Sequence, residues 1–158
     1  MENVIYYVPN INELNDLCIL NKYLFNLNIK EFDNTLNNNW TNEESYKDFF
    51  KKYFDTNNFY ILFVKINSKL VGYIAGSIYE SESYRENIKI AELENLMVLP
   101  GYQKKGVGHE LSNRFKNWAK ENKAQRLKVN VYSKNHDAYD FYKKLGFEDY
   151  DINLERDI

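Results

Sequence analysis

The sequence predicts an α/β (α+β) fold, a single domain over residues 1–158 built on a mixed sheet with helices on both faces. Three observations carry that expectation. Strand-like and helix-like segments follow one another in the order β-α-α-β-β-β-α-β-α-β. Early strands joined by a tight turn pair antiparallel, whereas a later β-α-β-α-β run brings strands side by side in parallel. The chain has 158 residues, 44% hydrophobic and 28% charged, which suits one globular core and leaves no room for a second.

The elements follow in order. Val4–Val8 reads as a strand closed by Pro9-Asn10, and a helix begins near Asn12, a residue able to cap it. Leu14, Leu17, Cys18 and Leu24 share one face of that helix. Thr41-Asn42-Glu43-Glu44 has capping-box spacing, which predicts a second helix to about Tyr53. Phe59–Ile66 is a strand, Asn67-Ser68-Lys69 a tight turn and Leu70–Ser77 the hairpin partner. Tyr79–Asn87 is a polar loop and Lys89–Val98 the next strand. A glycine-rich turn, Pro100–Gly108, leads into a helix over Val107–Asn122 with Leu111, Phe115 and Trp118 as its buried stripe. Leu127–Val131 is a strand, Asp137–Leu145 a short helix ended by Gly146, and Phe147–Leu154 a last strand.

Composition excludes several function classes. Twenty-one basic residues against 23 acidic ones give a net charge of −2, with no basic block and no basic aromatic face, so no nucleic-acid partner is expected. Cys18 is the lone cysteine, which excludes an internal disulfide or a cysteine zinc cluster, and His109 and His136 have no third ligand at metal-site spacing. Apolar runs are too short to span a bilayer, and the N-terminus lacks a basic region followed by an apolar one. The expectation is a soluble cytoplasmic protein with no membrane partner.

Glycine is scarce, six in all, yet Gly101, Gly106 and Gly108 fall within eight residues. A strand, this turn and a helix together present backbone N–H groups to an anion, with Lys104 and Lys105 adding positive charge. A Walker loop would need Lys and Ser/Thr after Gly106, where Val107 and Gly108 stand, and a dinucleotide fingerprint would need Gly or Ala at Leu111. What remains is Gln-x-x-Gly-x-Gly at a helix start, which an ordinary strand-to-helix turn would also satisfy.

A second segment decides between them. Val98-Leu99-Pro100-Gly101-Tyr102-Gln103-Lys104-Lys105-Gly106-Val107-Gly108 resembles the acetyl-CoA signature of the GCN5-related N-acetyltransferase (GNAT) family. Asn135-x-x-Ala138-x-x-Phe141-Tyr142-Lys143-x-x-Gly146-Phe147 resembles that family's second signature. The pair spans Lys89 to Phe147, and Gln103 stands where Arg is the commoner letter. The resemblance implies a mostly antiparallel sheet in which the parallel strands Ala91–Leu99 and Leu127–Val131 splay apart to hold pantetheine. It implies further that Leu96, Met97 and Val98 offer backbone to pantetheine, and that the amides of Gln103, Lys104, Lys105, Gly106, Val107 and Gly108 hold the pyrophosphate. Asn135 would reach the pantetheine arm, although it is also a good helix cap.

By the same resemblance Tyr142 is the general acid that protonates the departing CoA thiolate. An aliphatic ammonium of pKa about 10.4 is neutral in roughly one molecule in a few thousand at pH 7, so something must accept its proton. Glu92 and Glu94 lie two apart on a strand and face the same side. Glu94 is the favoured base, Glu92 the second candidate, and a water chain the third. Glu31, Asp33, Trp40, Tyr79, Glu80, Glu82 and Tyr84 fall where the family places its acceptor wall. Carboxylates among aromatics suit a small cationic amine, polyamine- or aminoglycoside-like. The alternatives are acetylation of protein lysines or N-termini, and a CoA-binding module without catalysis. The resemblance implies acetyl-CoA as cosubstrate and no metal; it also admits a homodimer.

Overall fold

The computed structural model describes residues 2–55 and 57–158. Five strands, β1 (Val4–Tyr7), β2 (Phe59–Ile66), β3 (Lys69–Glu80), β4 (Lys89–Val98) and β5 (Arg126–Val129), form one sheet in that spatial order. The first four pair antiparallel; β4 and β5 run parallel. The helices are α1 (Leu14–Glu31), α2 (Glu44–Lys51), α3 (Val107–Glu121) and α4 (His136–Lys144). Among the described residues, no helix is long and apolar enough to cross a membrane.

Alternation along the strands divides the core in two. Leu62, Val64, Ile74 and Leu93 point to one face, where Leu111 and Phe115 of α3 and Tyr142 of α4 cover them. Ile61, Phe63, Tyr73 and Met97 point to the other, under Leu17 and Leu20 of α1 and Phe50 of α2. The β2–β3 hairpin turns on Asn67 and Ser68, both left-handed at φ 49° and 69°, as the twist of a two-residue hairpin loop requires.

The chain departs from its sequence pattern at four places. The first helix is capped by Asn10 rather than Asn12: Asn10 Oδ1 accepts from the Asn12 amide at 2.9 Å and Glu13 Oε2 from the Asn10 amide at 3.0 Å. A 3₁₀ turn, Ile11–Glu13, therefore precedes α1. The Thr41 capping box does not form. Residues Trp40–Asn42 make their own 3₁₀ turn, and α2 starts after Glu43 with no side-chain cap. Trp40 explains this, because its ring is locked among Phe25, Tyr46 and Phe49 at 5.0–5.6 Å and fixes the backbone locally. β3 runs on to Glu80, so the loop is shorter than its polarity suggests.

The fourth difference is the last strand. Residues 147–154 form none: Phe147 packs on Tyr142, but Tyr150, Ile152 and Leu154 are at least 66% exposed. Alternating apolar letters make a strand only where a face offers burial, and beyond Phe147 this segment finds none.

Candidate active site

The site is organised by a defect in β4. Ala75 lies opposite Asn95 and Gly76 opposite Leu93, so Glu94 is the extra residue of a β-bulge. Gly76 makes the bulge sterically feasible: a Cβ there would stand 2.3 Å from the Glu92 carbonyl and 2.7 Å from the Phe115 ring. The extra residue also shifts the alternation. Ala91 and Leu93 face α3 before it, Leu96 and Val98 face α3 after it, and Met97 turns to the α1 side. Glu94 and Asn95 consequently both open on the α1–α2 side.

There they meet a cavity of about 280 Å³. Phe25, Trp40, Phe49, Phe50 and Tyr53 supply its rings, and Asn21, Asn28, Asn95 and Glu94 its polar groups. Glu94 is held by three donors: the Tyr53 hydroxyl and the Lys52 ammonium (3.1 Å) on Oε2, and the Ser77 hydroxyl (2.5 Å) on Oε1. One lone pair of Oε1 is left over. Burial and the adjacent Glu94 charge push the Tyr53 phenol far above its ordinary value, so it remains a donor. The chain of hydrogen bonds continues inward, from Asn95 to Tyr53 at 3.3 Å and from Asn21 to Asn95 at 3.2 Å. Asn21 also donates to Tyr73 and accepts from Tyr46, each at 2.8 Å. A connected buried network of this kind fixes Glu94 in one orientation.

Glu92 sits on the same side of β4 but does not line the cavity. It accepts from Tyr79 at 2.8 Å and Asn130 at 2.9 Å, with Lys128 at 3.4 Å. Of the other residues expected on the acceptor wall, only Trp40 lines this cavity. Glu31 and Glu82 pair locally with Lys30 and Arg85, and Tyr84 is 78% exposed.

On the other side, pairing of β4 with β5 stops at Leu93↔Val129, so Glu94–Val98 has no β5 residue opposite it. Leu96, Met97 and Val98 lie on this open edge. The Val98 carbonyl accepts from Gln103 Nε2 at 2.8 Å, which ties the turn to the end of the strand and leaves its second lone pair free. The turn above is left-handed at Gly101 (φ 85°), Lys104 (φ 59°) and Gly106 (φ 83°), and Gly106 directly precedes α3. The first amides of α3 have no intrahelical acceptor, so Val107, Gly108 and the turn before them present free N–H groups at the helix start. Space around Gly106 is open within 4 Å, whereas a Cβ on Gly108 would touch Phe141 at 3.5 Å. Lys104 and Lys105 are exposed, and Lys105 reaches Glu2 at 3.7 Å.

Asn135 caps α4, accepting from the Ala138 amide at 3.1 Å, which leaves its Nδ2 unused by the cap. Tyr142 is 9% exposed, wedged between Phe141 and Phe147, and among the described residues nothing pairs its hydroxyl. Burial raises its pKa, so the phenol keeps its proton throughout the neutral range. Sequence reasoning missed Lys52, Tyr53, Ser77, Asn21 and Asn95. No local pattern marks them; they converge only because α1, the end of α2 and two strands meet at the bulge.

Fold and site define a class: a mixed sheet whose parallel pair parts beside a glycine-rich turn, with an aromatic cavity on the opposite face of the same strand. Comparison with known proteins gives that class its family. The acetyltransferase (GNAT) family model matches residues 22–147, and the chain belongs to that family. Over 98 residues, 62% of this chain, it is 29% identical to an uncharacterized N-acetyltransferase, MJ1207, of Methanocaldococcus jannaschii, of whose length the match spans 42%. The fold is similar to that of a mutant BH1408 protein from Bacillus halodurans, at a TM-score of 0.87 and 15% identity over 98% of this chain and 99% of that one. It is also similar to the aminoglycoside N-acetyltransferase AAC(6')-Iy in complex with CoA, at a TM-score of 0.74 and 15% identity over 99% and 95% of the two chains.

Proposed function

We propose that residues 1–158 act as one N-acetyltransferase domain, moving the acetyl group of acetyl-CoA to the primary amine of a small molecule by direct attack in a ternary complex. The observation that carries this is the placement of Glu94. Its carboxylate opens into an aromatic-lined cavity from the very strand whose other side offers an unpaired edge and the glycine-rich turn. One strand thereby brings an amine and a thioester to the same point, which is how a bimolecular reaction gains rate.

Leu96, Met97 and Val98 hold the pantetheine arm by their backbone, Asn135 by its free amide nitrogen, and the amides of Gln103–Gly108 hold the pyrophosphate. Glu94 accepts a proton from the incoming ammonium, directly or through one water, on the lone pair left by Ser77. The amine nitrogen then attacks the acetyl carbon; a C–N bond forms and the C–S bond breaks. Tyr142 donates its hydroxyl hydrogen to the departing sulfur and is re-protonated by the second proton that the attacking nitrogen sheds as the amide forms. The products are an N-acetylamine, CoA thiol and the proton left on Glu94. The CoA-bound aminoglycoside N-acetyltransferase similar in fold supports the cosubstrate and a small amine acceptor.

Glu94→Gln keeps the shape and removes the base, so kcat should fall about 10²–10⁴-fold, the usual worth of such a group. Glu92→Gln, outside the cavity, should fall far less. Steady-state thiol release measures both, and equal losses would take the role from Glu94.

A further inference from the structure

We propose that the acceptor is a primary monoamine on a flat apolar body, an arylalkylamine in chemical class, and that Lys52 sets this preference. The proposal rests on the acetyltransferase reading above and names the substrate of that same cavity. Five aromatic side chains line the cavity, and its remaining lining is three neutral asparagines, Leu24 and one carboxylate, Glu94. That carboxylate is already compensated: Lys52 Nζ lies 3.1 Å from Glu94 Oε2. The same ammonium sits 4.2 Å from the centre of the Phe49 ring and 4.9 Å from that of Tyr53. Two of the five rings, Phe49 and Tyr53, therefore already face a cation belonging to the protein, and Phe25, Trp40 and Phe50 remain for the substrate body.

A substrate with two or more ammonium groups would find no second carboxylate here and would be repelled by Lys52. The acids expected to serve it, Glu31, Asp33, Glu80 and Glu82, do not line the cavity. A single amine directed at Glu94 leaves the rest of the molecule to the rings, which reward flat apolar surface. Size points the same way. About 280 Å³ falls just below the roughly 300–1,000 Å³ typical of drug-sized pockets and is filled by one ring and a short chain.

The test is kcat/KM for 2-phenylethylamine, 1,4-diaminobutane and kanamycin at low and high salt, in the wild type, Lys52→Met and Trp40→Ala. The wild type should prefer 2-phenylethylamine to the diamine by about 10-fold or more, the scale of discrimination in an apolar pocket. The preference should survive added salt, because apolar contact is not screened. Lys52→Met should narrow the ratio by removing the charge that repels a second ammonium, and Trp40→Ala should reduce turnover of 2-phenylethylamine more than that of the diamine. A wild-type preference for the diamine or kanamycin overturns the proposal and leaves the acetyltransferase reading standing, as does a ratio that neither variant moves. Acetyl-CoA binding with no acetylation of any amine overturns both.

Discussion

At the residue scale Glu94 and Tyr142 lie on opposite faces of the sheet, in opposite surroundings. Glu94 is surrounded by hydrogen-bond donors, and its orientation is fixed by Tyr53, Lys52 and Ser77. Tyr142 is surrounded by hydrocarbon, which favours its neutral form. A phenol held above its ordinary pKa is a hydrogen donor across the whole working range, so the alkaline side of the rate profile should not contain its titration. Tyr142→Phe keeps the ring between Phe141 and Phe147 and removes only the hydroxyl. Calorimetric affinity for acetyl-CoA should stay within a few fold of wild type, while kcat should fall by about 10²-fold or more. Unchanged turnover would give the proton to water instead.

At the scale of elements, the glycine-rich turn is where sequence and geometry agree most closely. Gly106 adopts φ 83° at the entrance to α3 with open space beside it, the arrangement a phosphate can approach. Gly106→Asp places a negative charge there, whereas Gly106→Asn has the same size and tolerates the left-handed backbone. Calorimetry should show a loss of acetyl-CoA affinity at least about 10-fold greater for Asp than for Asn, shrinking with salt as exposed charges are screened. Equal losses would make the effect one of backbone strain alone. This turn, the strands Phe59–Ile66 and Lys89–Val98, and α3 were legible because each is decided by neighbours in the chain: alternation, glycine placement, a buried stripe at 3.6-residue spacing. The bulge at Glu94 was not, since it depends on Phe115 packing against Gly76 from another element. The Thr41 cap and the strand over 147–154 had the right letters, and tertiary context overrode them in one case and offered no partner in the other. Glu94 was thus legible as a carboxylate on the right strand, but its three donors were not.

At the scale of the molecule, both faces of the sheet are heavy with buried phenols, and this gives stability a direction in pH. Burial raises Tyr46, Tyr53, Tyr73 and Tyr142 well above the ordinary value, and pushes Tyr60 up to about 12. A group that holds its proton more tightly when folded stabilises fully below its unfolded pKa, near 10, and that stability is lost as pH climbs toward the folded value. Thermal melts followed by circular dichroism should therefore show Tm falling steeply above about pH 10; a Tm level to about pH 12 would contradict the burial assigned to these rings. The same architecture joins the Glu94 cavity on one face to an open strand edge by way of a single strand, and in the proposed function acetyl groups cross between them. The direct measurement is a single-turnover reaction of the protein with acetyl-CoA and 2-phenylethylamine, quantifying N-acetylamine by mass spectrometry against free CoA by thiol titration. One N-acetylamine should form for each CoA released, with both lost together in Glu94→Gln; CoA released without N-acetylamine would overturn the acetyltransferase reading.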